Sequence, residues 1–248
     1  MNISIITVCY NDIDGLVKTY HSLKKYLDKI QWIVIDGGSN DGSLSFLSGI
    51  KQSSFIYVSE KDKGIYDAMN KGVGFATKKY VVFLNAGDLI SQSLDMSLLQ
   101  MEIENDFDLL FYNAKFVYPN GRTIIRSARK FKAIWHSIPA NHQCIFVKTD
   151  LARRFPYSLD YSICGDFELL SKLWVHGASY KIIPQIFAFF EVGGISTVKP
   201  LSVLKQAATI QKEILKLSHF LIFISFLRRV FSLSLNFLLY RLSLFCKN

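Results

Sequence analysis

Apolar positions along the first 90 residues switch between two periods. Ile3–Cys9 is a continuous apolar and β-branched run, the pattern of a buried strand. Leu16, Tyr20, Leu23 and Leu27 then recur at steps of four, three and four, one face of a helix. Gln31–Ile35 reads as a second strand ending at Asp36, with Gly37 and Gly38 as a turn. Phe55–Ser59 is a third strand, Ile65–Ala76 a helix and Tyr80–Leu84 a fourth strand. Strands alternating with helices predict an α/β fold with a mostly parallel central sheet and right-handed crossovers. Ligands of such sheets lie beyond the carboxyl ends of the strands. The polar residues at those ends, Asn11, Asp36, Asp62 and Asp88, are therefore the first site candidates.

The pattern is less regular over residues 108–197. Leu109–Phe111, Phe116–Tyr118, Gln143–Val147, Tyr180–Ile183 and Phe187–Val192 read as strands, with a turn at Pro119-Asn120-Gly121. Phe167–Val175 reads as a helix beginning near Asp166, and Gly193-Gly194 breaks the chain. Beyond residue 198 the character changes. Val203, Ala207, Ile210, Ile214, Leu217, Leu221 and Ile224 form one helical stripe, with Lys205, Lys212, Glu213 and Lys216 off it. Farther on, Arg228, Arg229 and Arg241 interrupt apolar runs, and no uncharged stretch there exceeds 11 residues, the length of Val230–Tyr240. A spanning helix needs about 20. The expectation is C-terminal amphipathic helices lying on a membrane surface; the alternative is a helical hairpin packed on the body or on a second subunit.

Charge sharpens that division. The 248 residues carry a net charge of +9, but residues 1–197 account for only +2 and residues 198–248 for +7. A nucleic-acid protein spreads basic charge over a folded recognition surface. Here it accompanies an apolar segment, which favours an anionic membrane surface over nucleic acid. Cys9, Cys144, Cys164 and Cys246 form no CxxC pair, which argues against a disulfide framework or zinc site and for a reducing compartment. No secretory signal is expected, so the reading is cytoplasmic, peripheral on the inner face of the cell membrane.

Four constellations can carry chemistry. Val34-Ile-Asp-Gly-Gly-Ser-Asn-Asp-Gly-Ser43 puts a carboxylate at a strand end before glycines, which suits a base or ribose. It is equally a tight turn with Asp41 or Ser43 capping a helix. In Asp62-Lys-Gly-Ile-Tyr-Asp-Ala-Met-Asn-Lys-Gly72, Asp67, Asn70 and Lys71 share a helix face, as a phosphate grip or a solvated cap. Val81-Val-Phe-Leu-Asn-Ala-Gly-Asp88 runs an apolar strand into Asn85 and Asp88, oxygen ligands for a hard divalent cation or a simple turn. Cys164-Gly-Asp-Phe-Glu168 opens a helix with Asp166, either an N-cap or a general base. No GxSxG motif or evident Cys/His pair supplies a nucleophile, and no GxGxxG follows the first strand.

The order of these motifs resembles the family 2 inverting glycosyltransferases of GT-A fold, over about residues 1–197. It runs through Ile5-Ile-Thr-Val-Cys-Tyr-Asn11, the Asp36, Asp62 and Asn85–Asp88 segments, Asn141-His-Gln143, Gly165-Asp-Phe-Glu168 and Gly193-Gly-Ile-Ser196. The subset it resembles most makes bacterial surface polysaccharides. The resemblance implies a GT-A domain over 1–197, with donor half 1–90 and acceptor half 91–197, followed by a basic apolar tail over 198–248. It implies that Thr7, Tyr10, Asn11 and Asp36 line a nucleoside pocket, and that Asp62, Asp67 and Asn85 lie near the ribose and diphosphate. Asp88 would hold a divalent metal, Mn²⁺ or Mg²⁺, and Asp166 would be the catalytic base. His142, Gln143 and Glu168 would face the acceptor. The donor would be a nucleoside-diphosphate sugar, a UDP-sugar first, and the acceptor a glycan or lipid-linked glycan. Many relatives carry acids where this chain has Asn85 and Gly87, leaving Asp88 as the charged ligand. A non-catalytic sugar-nucleotide scaffold and a nucleotidyltransferase are the competing readings; the first needs neither Asp88 nor Asp166, and the second lacks its basic glycine loop after the first strand.

Overall fold

A computed structural model describes residues 1–118, 120–191 and 200–245 of the protein. The Gly193–Ser196 motif, Val192, Cys246 and Pro119 lie outside the described residues, as does the side chain of Arg241. Strand β1 (Ile3–Cys9) pairs in parallel with β2 (Gln31–Asp36) on one side and β4 (Tyr80–Phe83) on the other, and β3 (Phe55–Ser59) extends the sheet beyond β2. Helices α1 (Ile13–Leu23), α2 (Ser43–Ser48) and α3 (Ile65–Phe75) connect them. The strands alternate between two cores. Ile3, Ile5, Trp32 and Val34 join Leu16 and Leu23 of α1 on one face; Ile6, Val8, Ile33 and Ile35 join Met69 and Val73 of α3 on the other. With both faces covered, these strands have no polar alternation to show in the sequence.

The first half is the parallel sheet expected of it, and the second half adds mostly antiparallel strands. The remaining strands are β5 (Leu89–Ile90), β6 (Leu109–Val117), β7 (Thr123–Arg126), β8 (Ile145–Lys148) and β9 (Tyr180–Glu191). Among the described residues nine strands form one sheet in the order β3-β2-β1-β4-β8-β6-β9-β5, with β7 on β6. Here β4–β8, β8–β6, β6–β7 and β9–β5 are antiparallel and β6–β9 is parallel. Two segments expected as separate strands are one: Leu109–Phe111 and Phe116–Val117 belong to β6, and Tyr118 lies just past its end. Likewise Tyr180–Ile183 and Phe187 onward belong to β9, whose register slips around Pro184. A proline, lacking an N–H, is tolerated at such an irregularity. The Gln143–Val147 strand begins only at Ile145, because His142–Cys144 form a 3₁₀ turn.

Helices α4 (Met96–Glu104), α5 (Thr149–Arg154) and α6 (Gly165–Val175) complete the body. The single stripe expected from Val203 to Ile224 is two helices, α7 (Pro200–Glu213) and α8 (His219–Phe245). Between them Lys216 takes a positive φ of 52°, and Ser218 Oγ accepts from Leu221 N–H at the start of α8. The apolar spacing carries across this turn, so periodicity alone cannot see it. Ala207 and Ile210 of α7 are buried in the same core as Leu169, Leu170 and Leu173 of α6. No helix of the described residues is long and apolar enough to cross a membrane.

Candidate active site

The sheet changes direction of growth at β1, from β2 on one side to β4 on the other. Ligands of open α/β sheets lie in the crevice at that point, at the strand carboxyl ends. The loops after β1 and β4 meet there. Ala86 N–H donates to Val8 O at 3.1 Å, so the Asn85–Asp88 turn runs alongside the end of β1. Thr19 of α1 fixes this turn: its Oγ1 donates to Asp88 O at 2.8 Å and accepts from Gly87 N–H at 3.0 Å. Gly87 has φ +89°, which side-chain-bearing residues rarely adopt.

A cleft of about 970 Å³ opens at this turn. Asp12, Asp14 and Lys18 line it from the β1 side, Asn85–Asp88 from the β4 side, and His142, Gln143 and Asp166 from the second half. Asp88 is 8% exposed. Its Oδ2 accepts from Gln143 Nε2 at 3.1 Å and from Asn85 N–H at 3.2 Å. Burial pushes its pKa up to about 7, against these two bonds. Asn85 Oδ1 is buried without a hydrogen-bond partner. Among the described residues no three His, Cys, Asp or Glu side chains form an ion cage. A small hard cation that takes most of its oxygens from phosphate and water needs only one or two protein oxygens. The Asp88 carboxylate and the orphaned Asn85 oxygen fit that requirement.

Asp166 stands in the first turn of α6, one residue inside the N-cap Cys164–Gly165 boundary, and not as the cap itself. Its Oδ1 accepts from Phe167 N–H at 2.8 Å. Burial raises its pKa to about 6, while that bond and the charge of Arg229 pull it down. A carboxylate of this pKa is ionised at neutral pH and still basic enough to take a proton. The turn is held from two sides. Tyr66 of α3 donates its hydroxyl to Ile163 O at 2.5 Å, and Gln206 Oε1 of α7 accepts from Ile163 and Cys164 N–H at 3.2 and 3.1 Å. The close Tyr66 contact requires Gly165, where a Cβ would meet the ring at 2.7 Å.

Of the other expected residues, only His142 and Gln143 line the cleft. Asp36 is fully buried at the end of β2, accepting from Ser39 N–H at 3.0 Å and Ser59 Oγ at 2.6 Å, and also from Ser39 Oγ. Tyr10, 67% exposed, and Asp62 flank Gly37 just beyond it and form a shelf over the end of β2, outside the cleft lining. Asn11 is a loop brace, with its N–H on Ser39 Oγ and its Oδ1 accepting from Asn40 N–H. Thr7 is enclosed: its hydroxyl donates to Leu84 O and accepts from Trp32 Nε1–H, so it holds β1 to its neighbours. Asp67 accepts from Lys63 N–H at 2.9 Å and pairs with Lys71 at 3.6 Å, outside the cleft lining. His142 stacks on Phe83 and shares a 2.7 Å hydrogen bond with Tyr157; burial lowers its pKa to about 4, so it is neutral. Gln143 reaches Asp88. Glu168 is enclosed and ion-paired with Lys172, off the cleft lining. Sequence reading missed Asp12, Asp14, Lys18, Arg126 and Arg229 in the cleft, and Thr19 behind it. For Asp12 and Asp14 the signal was present, two carboxylates directly after a strand end.

Comparison with known proteins identifies the family and the fold. The profile of glycosyl transferase family 2 matches residues 4–158. An uncharacterized glycosyltransferase of Mycobacterium tuberculosis, Rv1514c, is 31% identical over 177 residues, 68% of this chain and 67% of its own. A PGL/p-HBAD biosynthesis glycosyltransferase of the same species, Rv2957, is 28% identical over 179 residues, 66% of each chain. Staphylococcus aureus TarS 1–349 in complex with UDP-GlcNAc superposes with a TM-score of 0.69 at 17% identity, covering 94% of this chain and 73% of that one. The mannosyltransferase PcManGT of Pyrobaculum calidifontis, in complex with GDP-Man and Mn²⁺, gives 0.64 at 15% identity, covering 88% and 65%. The fold is thus the GT-A architecture shared with the two solved structures, and this chain belongs to glycosyl transferase family 2.

Proposed function

We propose that the protein transfers one sugar from a nucleoside-diphosphate sugar, a UDP-sugar first, to a hydroxyl of a glycan or lipid-linked glycan in surface polysaccharide assembly. The observation that carries this reading is the meeting of Asp166 with the Asn85–Asp88 turn across one cleft at the strand carboxyl ends. The base and ribose belong on the Asp36, Tyr10 and Asp62 shelf, and the diphosphate at the turn. A divalent cation, Mn²⁺ or Mg²⁺, held at Asp88 with Asn85 would offset charge on the departing diphosphate. Asp166 takes the proton of the acceptor hydroxyl as that oxygen bonds to the anomeric carbon. The bond from that carbon to the diphosphate oxygen breaks on the opposite face. One displacement inverts the configuration and needs no covalent nucleophile. TarS and PcManGT, solved with UDP-GlcNAc and with GDP-Man and Mn²⁺, support the donor class and the cation. The basic tail would place the protein on the cytoplasmic face of the cell membrane.

The test is calorimetry of the full chain with UDP-, dTDP- and GDP-sugars, with Mn²⁺ or Mg²⁺ and with EDTA, followed by turnover of Asp166→Asn. The expected result is metal-dependent binding of one donor class. The amide variant should bind that donor normally and lose about 10²–10⁴-fold in turnover. Turnover above a tenth of the parent's would make Asp166 a structural residue.

A further inference from the structure

Arg229 of α8 and Arg126 of β7 both line the cleft, and among the described residues neither guanidinium makes a hydrogen bond or ion pair, each resting only on an aromatic ring. Arg229 is half-buried, its guanidinium 4.7 Å from the ring centre of Phe167, the residue after Asp166. Its Nε and Nη2 are shielded from solvent and unsatisfied. Burial works against its charge, and the nearest opposing influences are Cys164 and Asp166. Arg126 lies 4.6 Å from the ring centre of Phe116. The neighbouring Arg129 differs, because its Nη2 is committed to Ser137 Oγ at 2.6 Å and Ile138 O at 2.7 Å. A buried guanidinium without acceptors is costly, and native proteins rarely leave one so. Held against one aromatic face, it lacks an acceptor of its own, and the acceptors a guanidinium binds most strongly are phosphate and carboxylate.

We propose that Arg229, with Arg126, forms an oxyanion subsite on the acceptor side of the cleft, and that the acceptor carries a phosphate or carboxylate close to the hydroxyl that is glycosylated. The inference rests on the transfer reading above, since the acceptor is assigned by its nearness to Asp166. The donor diphosphate lies by that reading at the Asn85–Asp88 turn. An anion beside Phe167 and Asp166 therefore belongs to the other substrate. Within the lining Asp12 and Asp88 stand at the Asn85–Asp88 turn, whereas Arg229 stands at Phe167 and Arg126 at Phe116. The subsite also gives α8 a role inside the cleft, since a helix of the C-terminal segment supplies one of its walls.

The test uses the full chain with UDP present at saturation, and titrates in inorganic phosphate, glucuronate or the neutral methyl glucoside. Binding of phosphate or glucuronate, but not of the neutral sugar, should weaken about tenfold or more in Arg229→Gln and several-fold in Arg126→Gln. Arg229→Lys should recover part of it. Preference for phosphate points to a phosphodiester in the acceptor, and preference for glucuronate to an acidic sugar. Anion binding unchanged in both glutamine variants overturns the proposal. So does phosphate binding that UDP abolishes, which would assign the arginines to the donor. If Arg229→Gln fails to fold, as a melting curve shows, the exposed Arg126 carries the test. Failure of the transfer reading shows separately, as absence of UDP-sugar binding, because the phosphate titration can be repeated without UDP.

Discussion

Asp88 and Asp166 are both lifted toward neutrality by burial; in the proposed transfer they would act on different steps, and pH separates them. Asp166, at about 6, must be ionised to accept a proton, so kcat should fall with one-proton dependence as pH drops below about 6. Asp88, at about 7, must be ionised to hold a cation, so metal-dependent donor affinity should weaken first, as pH drops through about 7. Removing a cation raises a carboxyl pKa, so Arg229→Gln should move the kcat limb upward. A limb that stays in place would show that Arg229 does not reach Asp166. Asp88 also costs stability. Its folded pKa of about 7 exceeds the unfolded value of about 3.9, so between those values the folded state binds more protons. Stability therefore declines as pH rises through that window. Asp88→Asn removes the penalty, and its amide oxygen can still accept from Gln143 and Asn85. The variant should gain on the order of 1–3 kcal/mol over the parent at pH 8 and nothing at pH 4, read by urea unfolding. Its donor binding should be lost at both values, the trade expected where a site is kept at the expense of stability.

At the scale of elements, the site depends on how α1 and α6 are fastened. Thr19 joins α1 to the Asn85–Asp88 turn through one hydroxyl that both donates and accepts. Thr19→Val keeps the shape and strands Gly87 N–H and Asp88 O, at a cost of about 1–3 kcal/mol. Donor affinity should fall with it, while kcat at saturating donor changes little; equal donor affinity would show that the turn holds without α1. Gly165→Ala should do the reverse. The new methyl meets Tyr66, shifts the first turn of α6 and carries Asp166 with it, so kcat should drop while donor binding stays. The elements of the donor half were legible because each has a single period: β1 to β4 are continuous apolar runs, and α3 is bounded close to its expected ends. The second half was less legible, for identifiable reasons. Asn113 and Lys115 interrupt the apolar pattern of β6, yet Asn113 Oδ1 accepts from Ala128 N–H across the strand. Pro184 reads as a break, but β9 passes it by shifting register. At the site, Asp88 was legible at a strand end and Asp166 at a helix start, while Asp12 and Asp14 were passed over. Arg229 was not legible, because it stands more than 60 positions after Asp166 among apolar residues, and only the turn at Lys216 folds it back.

The whole molecule joins a closed core to an apolar surface that the core does not cover. α7 belongs to the body, through Ala207, Ile210 and the Gln206 bonds behind Asp166. α8 is fastened at Ser225, whose Oγ accepts from Gln211 Nε2 at 2.7 Å, and turns Phe220, Phe223, Phe226, Leu227, Val230 and Phe231 outward. Exposed aromatic and aliphatic side chains beside Arg228 fit the boundary between headgroups and acyl chains. The full chain should therefore sediment with anionic vesicles. High salt should release part of it, since each basic residue near the surface contributes about 1 kcal/mol and that part is screened. The apolar face should hold the remainder, and Phe220→Ser with Phe223→Ser and Phe231→Ser should release it without changing donor affinity. A chain ending at residue 217 keeps α7 and should fold and bind donor, but should neither sediment nor show Arg229-dependent phosphate binding. One ending at 197 also loses the α7 contacts and should melt lower. If the full chain ignores vesicles and runs as a dimer that the serine variant splits, the outward face of α8 is a subunit interface. The sugar acceptor would then be presented without help from this helix.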